Sequence, residues 1–337
     1  MKLALYILRR FLYLLPALLG VSIIMFVVTR VLPGNPAYMI VGVHADEETL
    51  QAVIQKMGLD RPIWEQYLTY MGNLLQGDLG TAWRTNNPVW IDLRVRFPAT
   101  IELSTLSLIV AVLWAVVLGV WSAVHKNGLV GRLADMISAA GVSIPEFWLG
   151  LILILVFFAY LNWAPAPLGR IANGVAPPKE ISGFYLIDAG VTGNWAALKA
   201  ATAQLVLPVV TLAFVMGAPI MRLTQALMLE TMQSDYVRAA RAYGTPMPVI
   251  IFHHALRNIL LPVTTMIGLA YGYLLGGTVL VETVFSWPGI GKYAVDSMLS
   301  SDYAPIMAVV LLSASVYLLV YLVIDVLHFV FDPRVRV

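Results

Sequence analysis

Residues 101–124 read IELSTLSLIVAVLWAVVLGVWSAV, an apolar run with Glu102 as its one ionisable side chain. A helix of this length is about 36 Å long, which exceeds the roughly 30 Å hydrocarbon core of a bilayer. Thr100 suits the N-cap position, and Glu102 falls in the first turn, where the helix dipole favours an anion. The run therefore predicts a transmembrane helix, in which we expect Glu102 to be structural.

Five more apolar runs lie along the chain, at 11–28, 136–160, 205–221, 259–281 and 306–323, the last continuing to 331. The run at 136–160 is interrupted at Pro145. The sequence is 60% hydrophobic and 12% charged, whereas a soluble domain is about 25% charged. Lipid must therefore cover part of the surface. We predict an all-α, polytopic membrane protein with six transmembrane helices and a water-exposed region at 33–98.

Composition excludes several kinds of site. Cysteine is absent, which excludes disulfides, iron–sulfur clusters and cysteine nucleophiles. The histidines form no metal-binding spacing, and the adjacent His253 and His254 cannot share a helix face. The net charge of +2 is too small to indicate nucleic acid. Because no G-x-x-x-x-G-K-[ST] loop is present, we expect no ATP hydrolysis, and no cofactor or metal, in this chain.

Charge predicts the orientation. Six alternating spans place both termini and the loops after the second and fourth runs on one side. The short segments on that side carry an excess of basic residues: Lys2, Arg9, Arg10, Lys126, Arg132, Arg222, Arg238, Arg241, Arg257, Arg334 and Arg336. The loop at 33–98 on the other side has five basic and seven acidic residues. The positive-inside rule therefore predicts that both termini are cytoplasmic.

The predicted cytoplasmic stretch at 224–258 contains SDYVRAARAYG, from Ser234 to Gly244. A helix from Asp235 to Tyr243 is well specified here, because Ser234 can cap it, Asp235 suits the dipole and three alanines favour it. Gly244 is a natural terminator, and two prolines follow it. The members of this segment on which we place a functional role are Asp235, Tyr236, Arg238, Ala239, Ala240, Arg241, Ala242 and Gly244. Ala239 and Ala242 share a small, smooth face that lets another surface approach closely.

The string Arg238-Ala239-Ala240-x-x-x-Gly244, followed by Ile259-x-Leu261-Pro262, resembles the EAA loop of ABC importer permeases. Arg238 in place of glutamate, and the long gap before Ile259, are similar to the dipeptide/oligopeptide/nickel subfamily. Other segments resemble the same subfamily: LPGNP at 32–36, MGLDRP at 57–62 with QY at 66–67, GDLG at 77–80, SIPEFW at 143–148, ETVFSWPGIG at 282–291 and DPR at 332–334. The resemblance covers nearly the whole chain.

The resemblance implies the permease subunit of an ATP-driven importer in a bacterial inner membrane. It implies a type-1 ABC transmembrane domain at 96–331, preceded by a first helix and an external region at 1–95 and followed by a tail at 332–337. The partners it implies are a second homologous permease, two ATP-binding subunits that hold ATP and magnesium, and an extracytoplasmic solute-binding protein. The segment around Arg238 then serves as the coupling helix. Peptides, nickel chelates, glutathione and opine-like compounds all remain as substrates.

Two sets of residues within the spans are further candidates. Glu146 follows the interrupting Pro145 at membrane depth, where a carboxylate indicates a function by default. It either caps the new helix start, pairs with a cation of the partner permease or lines the pathway. Gly268, Gly272 and Gly276 form one smooth stripe, which packs either within the chain or at the seam with the second permease, the option we favour. Asp325 near the end of the sixth run is expected to pair with an arginine.

Two rival classes differ in what they require. A secondary transporter needs ion-coupling carboxylates at mid-membrane and usually internal repeats. Glu146 is the one candidate carboxylate, and the sequence shows no repeat. A membrane enzyme needs a catalytic constellation, which the sequence does not contain.

Overall fold

The computed structural model describes residues 2–31, 46–56 and 58–331. The motif at 32–36, His44, Met57 and the tail at 332–337 lie outside these residues. Helices dominate the described chain, whose strands are confined to one short antiparallel ribbon. In it β1 (Thr81–Ala82) pairs with β2 (Asn87–Pro88), and Thr81 lies opposite Pro88.

We number the helices of the described residues in chain order. They are α1 (Lys2–Val31), α2 (Glu47–Lys56), α3 (Ile63–Leu75), α4 (Val89–Val124), α5 (Leu129–Ser143), α6 (Glu146–Leu153), α7 (Tyr185–Val191), α8 (Trp195–Met232), α9 (Asp235–Ala242), α10 (Met247–Val249), α11 (Leu256–Gly277), α12 (Val279–Val284), α13 (Ile290–Leu299) and α14 (Tyr303–Phe331). Two π-helical stretches continue them: Ile154–Tyr160 follows α6, and Ile250–Ala255 joins α10 to α11.

The apolar runs correspond to long helices. Five segments are long and apolar enough to cross a bilayer: Leu5–Arg30, Val89–Val124, Trp195–Met232, Met247–Gly276 and Tyr303–Leu327. A sixth crossing results when the bent pair of α5 and α6 counts as one span. The all-α, polytopic membrane architecture is thereby confirmed. The helices are longer than the runs because their ends continue into polar sequence, most of all in α8.

The third span is broken at the predicted proline. Proline disfavours the helical conformation of the residue before it, and Ile144 accordingly has an extended backbone with φ −85° and ψ 123°. Helices α5 and α6 meet at this point with a bend of 107°. Glu146 is the first residue of α6 and therefore lies directly at the bend.

Helices α4 and α8 form the largest helix–helix contact in the described chain. Small side chains let the two backbones approach closely. Ala111, Ala115 and Gly119 recur every four residues along α4, and all three are buried. A Cβ at Gly119 would lie 2.8 Å from the Thr224 side chain of α8. From α4, the Trp114 indole donates to the Ala213 carbonyl of α8 at 3.2 Å.

The glycine stripe of α11 packs within the chain. A Cβ at Gly268 would collide with Ile324 of α14, and one at Gly272 would collide with the Tyr317 ring of the same helix. These two glycines therefore serve an intrachain contact, which is the other of the two predicted alternatives, and the favoured seam with a second permease stays a prediction. Gly276 differs, because a Cβ at this position would have no heavy atom of another described residue within 4 Å. It borders an apolar cavity of about 580 Å³ between α1, α11, α13 and α14.

Helix α1 is attached to the other spans through α14. At one end Arg10 forms an ion pair with Asp325 at 3.2 Å, which confirms the expected arginine partner. At the other end the Arg30 guanidinium lies 5.2 Å from the centre of the Phe26 ring. Only 11% of the apolar window of α1 is buried by the rest of the chain, so lipid covers most of this helix.

Gly272→Leu should destabilise the isolated permease, because a side chain there displaces Tyr317 from a close helix contact. Overpacking of this kind costs about 1–3 kcal/mol. The matched control is Gly276→Leu, whose side chain enters the open cavity and should leave the melting temperature nearly unchanged. Thermal unfolding in detergent micelles measures both. A Gly272→Leu variant that melts normally but fails to associate with another permease would support the seam interpretation.

Candidate functional site

The short helix α9 (Asp235–Ala242) lies where the sequence predicts it and ends one residue earlier than expected. Asp235 occupies the first turn and forms an exposed ion pair with Arg238. Ser234 stands at the N-cap position, but its hydroxyl donates to the Thr231 carbonyl at 2.6 Å. The predicted side-chain cap is not formed, and the hydroxyl instead bonds to the preceding turn of α8.

The end of α9 is fixed by a Schellman motif. The Thr245 amide donates to the Ala240 carbonyl at 3.1 Å, and the Gly244 amide donates to the Arg241 carbonyl at 3.0 Å. This arrangement requires a left-handed residue, and Gly244 has φ +75°. A Cβ at Gly244 would touch nothing within 4 Å. Glycine is therefore required at position 244 by the positive φ, and not by a steric clash with a neighbouring residue.

One face of α9 anchors it to the membrane domain. Val237 is fully buried in a cluster with Met228 and Met232 of α8 and with Ile250 and Ala255 of the π-helical stretch. The Asn258 amide donates to the Tyr236 hydroxyl at 2.7 Å. The helix is thereby attached to α8 on one side and to the start of α11 on the other.

The exposed surface of α9 carries small and basic side chains. Arg238, Ala239, Arg241 and Ala242 are all exposed, and the adjacent Tyr243 is 90% exposed. Nothing among the described residues covers this face. A rigid helix that presents alanines framed by cations can enter a groove of complementary shape and charge, while its anchored face transmits force to the spans.

A buried carboxylate organises the far end of the molecule. Glu282 of α12 is 0% exposed and accepts hydrogen bonds from Thr100 Oγ1 at 2.7 Å, Thr278 Oγ1 at 3.1 Å and the Lys292 amide at 2.8 Å. Burial raises the pKa of Glu282, because these bonds offset the desolvation only in part. A Cβ at Gly289 would collide with the carboxylate, so the Trp-Pro-Gly loop fits around Glu282.

The same loop is anchored to α4. Trp287 is 1% exposed, and its indole donates to the Ala99 carbonyl at 2.9 Å. Thr100 of α4 connects Glu282 to the start of α13. Its hydroxyl donates to the Glu282 carboxylate and accepts from the Ile290 amide at 2.9 Å. The sequence singled out the Trp-Pro-Gly segment as a motif, but it gave no sign that Glu282 would be its centre.

A second buried carboxylate holds the long loop at 161–194. Glu102 forms an ion pair with Arg170 at 2.6 Å, with both side chains less than 10% exposed. Arg170 also donates to the Gly183 carbonyl at 2.9 Å and lies 3.7 Å from the centre of the Tyr185 ring. Glu102 is thus structural, as expected. Sequence reasoning missed Arg170, one of two basic residues in this loop, which lies 68 positions from Glu102.

Asp188 shapes the turn beside this ion pair. Its carboxylate accepts hydrogen bonds from the amides of Ile181, Ser182 and Gly183 and from the Ser182 hydroxyl. Burial acts to raise the pKa of Asp188, but the four hydrogen bonds outweigh it and hold the pKa below its usual range. The turn that contacts Arg170 is therefore fixed by an ionised side chain at neutral pH.

Glu146 lies at the bend of the broken span and is 8% exposed. It makes no capping hydrogen bond, since Pro145 occupies the N-cap position. Its Oε2 atom is buried and has no hydrogen-bond partner among the described residues. The capping alternative is therefore not formed. The structure does not bring Glu146 near α9, and the described residues contain no cluster of three metal-ligating side chains.

Comparison with known proteins gives one consistent family. Residues 115–337 match the family described as binding-protein-dependent transport system inner membrane component, and residues 3–104 match its N-terminal counterpart. The chain is 40% identical to a probable D,D-dipeptide transport system permease protein, DdpB, of Escherichia coli (strain K12), covering 94% of this chain and 93% of the relative. It is 39% identical to the dipeptide transport system permease protein DppB of Alkalihalophilus pseudofirmus, covering 98% and 99%.

A third relative carries a different substrate in its name. The glutathione transport system permease protein GsiC of Escherichia coli O6:H1 is 36% identical, covering 98% of both chains.

Arg170→Met should lower the melting temperature of the purified permease, because it leaves the Glu102 carboxylate buried without its cation. Breaking one side of a buried pair costs about 3–5 kcal/mol. The double variant Glu102→Gln/Arg170→Met removes both charges and should lose less stability than Arg170→Met alone. Thermal unfolding of the wild type and of these two variants measures the difference. Equal losses in the single and double variants would contradict the pairing.

Proposed function

This chain belongs to the binding-protein-dependent transport system inner membrane component family, and from that membership we propose that it imports short peptides. It is a permease subunit of an ABC transporter and not an enzyme. The substrate proposal follows from its relatives, whose names specify dipeptides, D,D-dipeptides and glutathione, all of them short peptides. Family membership excludes the secondary-transporter and enzyme alternatives.

We further propose that α9 is the coupling helix that docks on the ATP-binding subunits. The observation that carries this is its division into an anchored face, centred on the fully buried Val237, and an exposed face of alanines and arginines. The complex would contain a second permease, two subunits that bind ATP and magnesium, and an extracytoplasmic solute-binding protein. No residue of this chain is needed to hold the nucleotide.

Helix α8 supplies the mechanical link in this proposal. It is one helix of 38 residues, which corresponds to about 57 Å at 1.5 Å per residue. Met228 and Met232 at one end contact Val237 of α9. Leu205 and Leu207 near the other end pack in the cluster that contains Trp287 and Phe285. A displacement of α9 by ATP-driven closure is therefore transmitted along α8 to the loop around Glu282.

The proposed orientation places α9 and both termini in the cytoplasm, and places the loops around Glu282 and Arg170 outside. It rests on the basic excess of the short segments beside the spans. We also propose a transmembrane domain at 96–331, preceded by α1 to α3, the ribbon and the first residues of α4, so that the boundary falls within α4 (Val89–Val124). Glu146 then lies on the outward half of a broken span, available to a cation of the second permease or of the pathway.

Reporter fusions test the orientation. An enzyme reporter that is active only in the cytoplasm should be active when fused after Val337 and silent when inserted at Asn86, in the ribbon between β1 and β2. Activity assays in whole cells, with immunoblots as a control for expression, measure both fusions. The opposite pattern would show that the basic excess does not orient this chain.

Gly244→Val should uncouple transport, because a β-branched residue is strongly disfavoured at φ +75° and the chain then leaves α9 in another direction. Gly244→Asn is the matched control, since asparagine tolerates the left-handed conformation. Ala239→Glu should block close docking on the exposed face, while Ala239→Ser should not. Solute-stimulated ATP hydrolysis and peptide uptake, measured in proteoliposomes of the full complex, should fall together in Gly244→Val and Ala239→Glu.

Two further readouts separate coupling from other defects. The melting temperature of the Ala239→Glu permease should be unchanged, because this side chain is exposed. The solute-binding protein should still bind its peptide. If Gly244→Val and Ala239→Glu leave both ATP hydrolysis and uptake intact, α9 is not the coupling helix.

A further inference from the structure

Helix α3 (Ile63–Leu75) carries an exposed apolar stripe outside the predicted spans. Trp64, Leu68 and Leu75 are 63%, 60% and 83% exposed. Spacings of four and seven residues place the three side chains on one side of the helix. No residue that the structure describes covers this stripe, although the sequence predicted a water-exposed region here.

A second face of α3 packs against α1 inside the apolar span. The Tyr67 hydroxyl is 2.9 Å from Ser22 Oγ. The Phe26 ring centre lies 5.3 Å from that of Tyr67 and 5.7 Å from that of Tyr70. Ser22 and Phe26 precede Arg30, the end of the span, by eight and four residues, which corresponds to about 12 and 6 Å along the helix. Helix α3 therefore contacts α1 on the span side of Arg30, at a depth where we expect acyl chains.

The neighbouring surface of α1 at this depth already requires lipid. Ile23, Ile24 and Val27 are 42%, 62% and 45% exposed and belong to a span that the rest of the chain barely covers. Acyl chains that solvate these residues lie next to α3, so its stripe continues the lipid-facing surface of α1. The stripe contains no charged residue, in keeping with contact with hydrocarbon.

The third face of α3 is polar and lies on a different side of the helix from the stripe. Thr69 and Asn73 line a cavity of about 420 Å³ together with Arg30 and Arg61. Leu68 and Asn73 are both exposed, yet at 100° per residue they lie on different sides of the helix. The helix thus has an apolar surface and a polar surface, as amphipathic helices in a membrane interface do.

We propose that α3 is an interfacial membrane helix whose Trp64–Leu68–Leu75 stripe contacts phospholipid acyl chains in the leaflet at the Arg30 end of α1. The helix anchors the region between α1 and α4 to the bilayer. In the orientation proposed above this is the outer leaflet, but the contact itself does not depend on the direction of insertion or on the transported solute.

Single-cysteine labelling tests the proposal, and the natural absence of cysteine allows each variant to be made directly. Leu68→Cys and the matched Asn73→Cys are labelled with a small environment-sensitive fluorophore on the full-length chain in phospholipid vesicles. Quenching is measured with phospholipids that carry a nitroxide on the acyl chain, and separately with iodide in the buffer. The label at Leu68 should lose most of its fluorescence to the nitroxide lipid, and the label at Asn73 should lose it to iodide.

A second variant and a second sample keep the outcome decisive. Trp64→Cys, one turn earlier on the same stripe, should behave as Leu68→Cys does. Repeating the measurement in the assembled transporter, with cysteine-free partner subunits, should leave the lipid quenching unchanged. Iodide quenching at Leu68, shielding of Leu68 from both quenchers, or loss of lipid quenching on assembly would each overturn the proposal, the last two in favour of a protein contact.

Discussion

The close contact between α4 and α8 is the interaction on which the other features of the structure depend. It exists because Ala111, Ala115 and Gly119 leave no bulk between the backbones, so that Trp114 reaches the Ala213 carbonyl on the facing helix. In a bilayer such packing replaces the hydrophobic effect as the force that joins helices. Both helices are longer than a bilayer is thick. The pair therefore carries groups at each end, with Thr100 and Glu102 on α4 at one end and the α9 anchor on α8 at the other.

The buried charges around Thr100, at the end of the α4–α8 pair away from α9, specify geometry more than they add stability. Desolvation of Glu102, Arg170 and Glu282 is costly, and attraction between partners returns that cost only when every bond is well placed. Each carboxylate here joins segments far apart in sequence: Glu102 binds the loop at 161–194, and Glu282 binds α4 and the start of α13. A substitution that removes one partner leaves a buried charge, so the arrangement tolerates few alternatives. Such a network keeps the loop at 161–194 and the loop around Glu282 in one conformation relative to α4.

Local pattern was enough to predict the spans, the break at Pro145 and the limits of α9. Each of these follows from residues within one or two turns, as does the positive φ of Gly244. What the pattern lacked was information on partners. The stripe of Gly268 and Gly272 predicts a close helix contact but does not identify the facing helix. In the structure that helix is α14, which contributes Ile324 and Tyr317. The pairing of Glu102 with Arg170 and the position of α3 against α1 depend on contacts between segments far apart in sequence. The hydroxyl of Ser234 bonds to the Thr231 carbonyl and does not cap α9.

The π-helical stretch Ile250–Ala255 gives the coupling proposal a physical place for movement. It lies between α10 and α11, and its Ile250 and Ala255 belong to the same buried cluster as Val237 of α9. A π-helical turn interrupts the regular i→i−4 bonding of an α-helix, and such turns are frequent at functional sites. A change of register there costs less than one within a regular helix. By contrast, the end of α8 is regular α-helix, and a turn at Gln233 and Ser234 joins it to α9. In the coupling proposal, a push on α9 passes to α8 through the packing around Val237, while the π-helical junction with α11 adjusts, so the two spans need not move together.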